Sequence, residues 1–176
     1  MTKNNKLLYA AIILSILAFI SAYHNSQQFK GHINENMVGT LINKNIKLTE
    51  LTNGHIKSIK DLDHQYYILS FIASWCGLCG EQYKMISKIK DKYDVPIYGI
   101  IWQDYPQNIK QYLAAGKYNY DHVYQDINSK LATELKLYAL PTIVLVGPNH
   151  QVKFIATGVI NDYIIEKYIT PELTNK

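Results

Sequence analysis

The two cysteines of the chain, Cys76 and Cys79, are separated by two residues in the sequence WCGLC. They are the only cysteines among 176 residues. Two thiols at this spacing can close a small disulfide and open it again by thiol–disulfide exchange. A purely structural role is disfavoured, because a disulfide across so short a loop removes little entropy from the unfolded chain. The pair therefore predicts redox chemistry.

A metal site is a second interpretation of the pair. Zinc would need two further Cys or His ligands at suitable spacing, and no histidine is near the pair in sequence. The six histidines are His24, His32, His55, His64, His122 and His150. We predict no metal ligand and no cofactor, although His122 and His150 stay open as partners of the cysteines in a copper-binding module.

The segments on either side of the cysteines predict how the pair is placed. Residues 66–73 are almost continuously apolar, which is typical of a strand covered on both faces. Residues 81–93 carry apolar side chains every three or four positions, which indicates a helix. At such a junction the free N–H groups and positive dipole of the helix start stabilise a thiolate. Cys76 is then the attacking thiolate and Cys79 the resolving thiol one turn further in, with Trp75 shielding them.

The rest of the chain predicts an α/β fold, a central mixed sheet with helices on both faces. Apolar and alternating patterns separated by turn signals indicate the elements. Further strands are expected at residues 46–51, 95–102, 123–125, 140–146 and 152–157, and helices at residues 108–115, 129–137 and 162–169.

The N-terminus predicts an exported protein. Residues 7–23 carry no charge and would span about 25 Å as a helix, close to the ~30 Å hydrocarbon core of a bilayer. Lys3 and Lys6 before this run favour a cytoplasmic N-terminus. We predict a membrane anchor or signal at residues 1–23, a linker at 24–36 and one domain at 37–176. The net charge of the chain is only +4, and the sequence has no stripe of basic residues that would indicate nucleic-acid binding.

The motif residues resemble a known family. The sequence WCGLC after an apolar strand, with Pro141 opening a later strand, is similar to proteins of the thioredoxin fold. The N-terminal apolar segment, the stretch WQDYP at residues 102–106 and the stretch LYALPT at residues 137–142 resemble the DsbE/CcmG branch of the TlpA-like reductases. The resemblance covers roughly residues 36–170.

This resemblance implies a thiol:disulfide oxidoreductase held in the bacterial inner membrane, with its catalytic domain in the periplasm. Its members keep the haem-attachment cysteines of apocytochrome c reduced and receive electrons from a DsbD/CcdA-type membrane reductase. The family roles fall on Cys76 as attacking thiol, Cys79 as resolving thiol and Pro141 as the cis-proline facing them. Leu140 and Thr142, on either side of that proline, become candidates for substrate contact.

The chain departs from the family pattern at several positions. Gly77 follows the first cysteine where the family usually has proline. Gln82 stands where glutamate is common, and Ser70 stands where ordinary thioredoxins have a buried aspartate. Glu81 is a candidate acid–base group for Cys79, although a solvated charge in the first helical turn is the favoured explanation of this residue.

Other functions are open to such a chain. A general TlpA-like reductase without a cytochrome role would have the same motif. A non-enzymatic module that binds copper or apocytochrome would use the cysteines as ligands. A peroxidase of the peroxiredoxin type is disfavoured, because Ala73 occupies the position of its threonine, and a DsbA-type oxidant would need a large helical insertion that the pattern lacks.

Overall fold

The computed structural model describes residues 9, 11–20, 31–62, 65–116 and 118–174. In this part of the chain one eight-stranded mixed sheet has the order β1-β8-β7-β4-β5-β6-β2-β3. The strands are β1 His32–Ile33, β2 Lys47–Glu50, β3 Ile56–Ser58, β4 Tyr67–Ile72, β5 Ile97–Ile101, β6 His122–Gln125, β7 Thr142–Gly147 and β8 Gln151–Thr157. Strands β4, β5 and β6 are parallel, and the other pairings are antiparallel.

Helices cover both faces of this sheet, as the sequence predicts. They are α1 Cys79–Tyr93, α2 Pro106–Ala115, α3 Lys130–Glu134 and a C-terminal helix α4, which runs through Asp162–Ile164, a π-helical turn Ile165–Ile169 and Thr170–Thr174. On one face, α1 and α4 pack against Ile68, and α2 packs near Ile72. On the other face, α3 packs against the side of β4 that carries Leu69 and Phe71.

Strand β4 is the centre of the structure. All six of its residues are buried, and successive side chains enter different hydrophobic clusters on the two faces. It pairs with β5 on one side and with β7 on the other. The near-continuous apolar run in the sequence therefore reflects a strand covered from both sides, and it leads directly to the cysteines.

Several predicted bounds differ from the observed ones. The helix predicted at residues 129–137 is only Lys130–Glu134, because Ser129 and Lys136 on either side have the left-handed φ values 52° and 54°. A right-handed helix cannot continue through such residues. Helix α1 begins at Cys79, two residues earlier than predicted, and α4 extends to Thr174. The short strands β1 and β3 carry too little periodic pattern to be predicted.

The N-terminal predictions fall partly outside the described residues. Residues 11–20 are helical, but the predicted anchor at 7–23 is described only in part. Among the described residues, none of the helices has both the length and the apolar character needed to span a bilayer. In the predicted linker at 24–36, His32–Ile33 pairs with β8 and Glu35–Met37 forms a single 3-10 turn. Residues 24–30 lie outside the description.

Candidate active site

The two cysteines form a disulfide at the junction between β4 and α1. Cys76 and Cys79 are joined by an S–S bond of 2.02 Å. Helix α1 begins at Cys79, so its free N–H groups and the positive end of its dipole lie at the pair. Cys76 is 6% exposed and Cys79 1% exposed. Both residues are buried, and Cys76 is the slightly more exposed of the two.

The residues just before Cys76 are held by the loop that follows β5. The indole Nε1–H of Trp75 donates to the carbonyl of Gln103 over 3.0 Å. The backbone N–H of Ser74 donates to Asp104 Oδ2 over 2.5 Å. We call these four residues the clasp. It fixes the turn that carries Cys76, and it keeps the exposed Trp75 ring in place beside the disulfide.

Asp104 is the charged member of the clasp. Burial opposes ionisation of its carboxyl, but hydrogen bonds from Ser74 and from the N–H of Tyr105, 2.8 Å away, outweigh that effect. The pKa of Asp104 therefore lies below its ordinary value of 3.8. At neutral pH the clasp contains a carboxylate, and hydrogen bonds to a charged group are stronger than those to a neutral one.

Replacing Asp104 with alanine is expected to lower the free energy of unfolding by about 1–2 kcal/mol at neutral pH, because Ser74 and Tyr105 lose a charged acceptor. The folded-state pKa is lowered, so this stabilisation is present above the ordinary pKa and is lost as the pH falls through the lowered one. Urea unfolding of Asp104→Ala and of the unaltered chain should therefore converge in acid. A constant difference down to about pH 2 would contradict this origin.

The predicted cis-proline lies at the same end of the sheet as the disulfide. The Leu140–Pro141 bond is cis. Strand β7 starts at the next residue, Thr142, which pairs with Phe71 near the end of β4. Leu140 packs against the hydrophobic cluster that contains both cysteines. The fold therefore places Leu140 against the cluster of the disulfide, and Pro141 at the same end of the sheet.

Thr142 and Glu81 are placed differently from what their predicted roles suggest. The Thr142 side chain is buried, its hydroxyl donates to the carbonyl of Ala139 over 2.8 Å, and it shares a 2.9 Å hydrogen bond with Thr157. Because the side chain is buried and hydrogen-bonded, only the backbone of Thr142 is available for contact with a substrate. Glu81 is exposed two positions after the buried Cys79, and side chains at that spacing do not face each other on a helix. The structure thus does not bring Glu81 to Cys79.

The buried polar group in the first turn of α1 is Gln82. Its Oε1 accepts the backbone N–H of Ile160 over 2.9 Å, which ties α1 to the loop after β8. That loop also contains Gly158, whose N–H donates to the carbonyl of Pro141 over 2.8 Å. Gln82 therefore helps to support the disulfide end of the sheet through a neutral amide.

A cluster of four tyrosines packs against the first turns of α1: Tyr83, Tyr112, Tyr118 and Tyr120. Tyr118 lies 5.0 Å from Tyr112 and 5.1 Å from Tyr83 between ring centroids. A Cβ atom at Gly80 would lie 3.1 Å from the Tyr118 hydroxyl, so glycine allows this close approach. Burial raises the pKa of Tyr112 and of Tyr120, and their hydroxyls stay protonated. Tyr112 and Tyr120 pack against the hydrophobic cluster that contains Cys79, so that the surroundings of this cysteine are neutral and largely apolar.

The two histidines considered for copper lie away from the disulfide. His122 begins β6, and its Nδ1 is 2.7 Å from Oε1 of Glu50. His150 follows β7, and its Nδ1 is 3.0 Å from the hydroxyl of Tyr67. The strand register places both at the opposite end of the sheet from Cys76. Within the described ranges, no cluster of three or more His, Cys, Asp or Glu residues could hold a metal ion.

The segment that contains this site matches a known family. Residues 42–155, which run from before β2 into β8, match the AhpC/TSA family. The chain belongs to this family. The matched segment contains the disulfide, the clasp and the cis-proline.

Curated relatives of this AhpC/TSA domain are thiol:disulfide interchange proteins. The chain is 27% identical over 115 residues to the thiol:disulfide interchange protein DsbE of Xylella fastidiosa strain 9a5c, over 65% of this chain and 58% of that protein. It is 23% identical over 113 residues to a probable DsbE-2 of Pasteurella multocida strain Pm70, over 64% and 59%. Each match thus spans less than two thirds of the relative. The resemblance to DsbE proteins is confirmed.

Solved structures confirm the thioredoxin-like fold of the domain. A crystal structure of a DsbE candidate from Chlorobium tepidum has a TM-score of 0.66 at 19% identity, covering 77% of this chain and 97% of that one. A secreted disulfide oxidoreductase of Mycobacterium tuberculosis, described as homologous to Escherichia coli DsbE, has a TM-score of 0.59 at 14% identity, with coverage of 75% and 96%.

Proposed function

We propose that this protein is a thiol:disulfide oxidoreductase that reduces disulfides of other proteins through Cys76 and Cys79. The observation that carries this proposal is the Cys76–Cys79 disulfide at the start of α1, with Cys76 the more exposed residue of the pair. The similarity to DsbE interchange proteins supports it.

The proposed reaction needs only the two cysteines and a protein disulfide. The Cys76 thiolate attacks one sulfur of the substrate disulfide, forms a mixed disulfide and displaces the other sulfur as a thiolate. Cys79, once deprotonated, attacks Cys76 and displaces the remaining substrate sulfur. The substrate gains two electrons and two protons, and the Cys76–Cys79 disulfide reforms. A separate electron donor must then reduce the pair.

The cellular setting is part of the same proposal. Residues 7–23 anchor the chain in the bacterial inner membrane as a single pass, and the AhpC/TSA domain lies in the periplasm. The substrate is apocytochrome c, whose haem-attachment cysteines are kept reduced, and the electron donor is a DsbD/CcdA-type membrane reductase. The alternative is a general periplasmic reductase, which would use the same site on a wider set of disulfides.

The reduction potential of the Cys76–Cys79 pair tests the reductase proposal. The full chain in detergent would be equilibrated with glutathione buffers, and the fraction of disulfide would be read by alkylation. We expect a value near that of thioredoxin, about −270 mV. A value near that of DsbA, about −120 mV, would mean that the pair is an oxidant and would contradict the proposal.

The substrate is identified by trapping. In Cys79→Ser the first attack still occurs, and no resolving thiol releases the mixed disulfide. Trapped adducts from periplasmic extract would be dominated by apocytochrome c if the maturation role is right. A broad set of adducts without apocytochrome c would favour the general reductase.

A further inference from the structure

The order and direction of the strands determine where the chain enters the domain relative to the disulfide. We propose that the disulfide end of the sheet is the end of the domain turned toward the membrane, and that its partners are proteins whose exchanging cysteines lie within about 45 Å of the membrane surface. This inference rests on the anchor and the thiol exchange of the proposed function, and adds where that exchange takes place.

A row of paired residues connects the N-terminal strand to the disulfide end. His32 in β1 pairs with Thr157 in β8, Thr157 pairs with Thr142 in β7, and Thr142 pairs with Phe71 in β4. Cys76 follows five residues after Phe71. His32, the first residue of β1, is thus level with the end of β4. The two strands are three strand spacings, or about 14 Å, apart across the sheet.

The direction of β1 decides from which side the chain arrives. Strand β8 runs toward the disulfide end, since its last residue, Thr157, pairs with the first residue of β7. Because β1 is antiparallel to β8, the chain enters β1 from the disulfide end. The His32 ring also lies 6.2 Å from the ring of Tyr138, which precedes the cis Leu140–Pro141 bond.

The number of residues before β1 sets the reach of the domain. Residues 24–31 separate the proposed anchor from His32. At 3.3–3.6 Å per residue even a fully extended chain of that length spans no more than about 29 Å. An entry at the opposite end of β4 would have added about 20 Å between membrane and disulfide. The actual entry keeps the disulfide end near the membrane.

The surface at this end is suited to a protein partner. Its exposed large side chains are Trp75 (58%), Leu78 (51%), Tyr105 (74%) and Tyr138 (61%). Aromatic side chains are enriched where proteins contact one another. Cys76 lies between Trp75 and Leu78 in the chain, and its sulfur exchanges only with another thiol or disulfide. A protein that presents cysteines at the membrane surface fits both features.

Energy transfer from tryptophan to a dansyl-labelled lipid headgroup tests the orientation. Both tryptophans of the chain, Trp75 and Trp102, lie at the disulfide end, so Trp102→Phe leaves a single donor there. The matched control carries Trp75→Phe and Trp102→Phe with Gln65→Trp, which moves the donor to an exposed position two residues before β4. In vesicles with the full chain, we expect several-fold higher transfer from Trp75 than from position 65.

The outcomes separate this inference from the redox chemistry. Equal or reversed transfer overturns the orientation and leaves the reduction potential as measured. Failure of the chain to float with vesicles removes the anchor and overturns the inference too. Quenching of Trp75 by a brominated acyl chain would show insertion of this face into the bilayer and would overturn the assignment to a protein partner.

A spacer variant tests the reach. About six Glu-Ala-Ala-Ala-Lys repeats inserted before Gly31 would add a semi-rigid helix of about 45 Å. We expect the variant to lose most of its exchange with a disulfide peptide coupled to a lipid headgroup, while its rate with the same peptide in solution is unchanged. Undiminished exchange with the coupled peptide would contradict the inferred limit.

Discussion

Replacing Cys76 with serine is expected to reduce the rate of insulin-disulfide reduction at least about 100-fold, because a serine hydroxyl is not ionised at neutral pH and cannot take the place of the thiolate. No other accessible thiol can replace it, since the chain contains only two cysteines and the second, Cys79, is 1% exposed. Turbidity of the released insulin chains measures the rate, with the full chain in detergent and dithiothreitol as reductant.

The matched variant is Cys79→Ser. It also loses turnover. When the variant is first reduced, then freed of dithiothreitol and mixed with insulin, its Cys76 still attacks and should accumulate as a mixed disulfide with the insulin chain, visible as a mass shift on a non-reducing gel. Cys76→Ser should give no such adduct. If both variants formed equal adducts, or if Cys76→Ser retained turnover, the assignment of attacking and resolving thiols would be wrong.

The largest effect on stability is expected at Phe71. This side chain is fully buried in β4, the strand that has β7 on one side and β5 on the other. Phe71→Ala removes a ring from the packed core and leaves a cavity, which typically costs about 3–5 kcal/mol. Urea unfolding of the oxidised protein, followed by far-UV circular dichroism, measures the loss.

The control for this variant is Tyr163→Ala. Tyr163 lies in α4 and is 62% exposed, so the unfolding free energy should change by no more than about 0.5 kcal/mol. A loss of less than about 1 kcal/mol in Phe71→Ala would mean that the site collapses around the missing ring or that this face of the sheet is loosely packed. Either result would contradict the close packing seen around β4.

The elements nearest the cysteines could be predicted because their signals are local. An uninterrupted apolar run indicates a strand buried on both faces, and β4 is such a strand. The spacing of Tyr83, Ile86 and Ile89 indicates one helix face, and all three are buried in α1. The position of the cysteine pair between these elements follows from chain order alone.

The contacts that hold the site could not be predicted, because they join residues far apart in sequence. Ser74 and Asp104 are separated by 30 positions, and nothing local shows that an aspartate after β5 accepts an N–H before Cys76. In the sequence, this loop is marked only by the stretch WQDYP, in which Asp104 lies two residues before Pro106, the first residue of α2. Likewise, the exposed Glu81 and the buried Gln82 are neighbours whose roles only the packing of α1 distinguishes.

The N-terminal strand also bears on aggregation. Residues of the segment 31–41 are paired along the outer edge of β8: Asn34 donates to Ile155, Gly39 donates to Val152, and Val152 donates to Thr40. Without them the seven-residue strand β8 would present open backbone groups beside apolar side chains, which is a template for strands of other molecules. The segment that leads into the domain therefore also acts as a cover that keeps neighbouring copies from adding to the sheet.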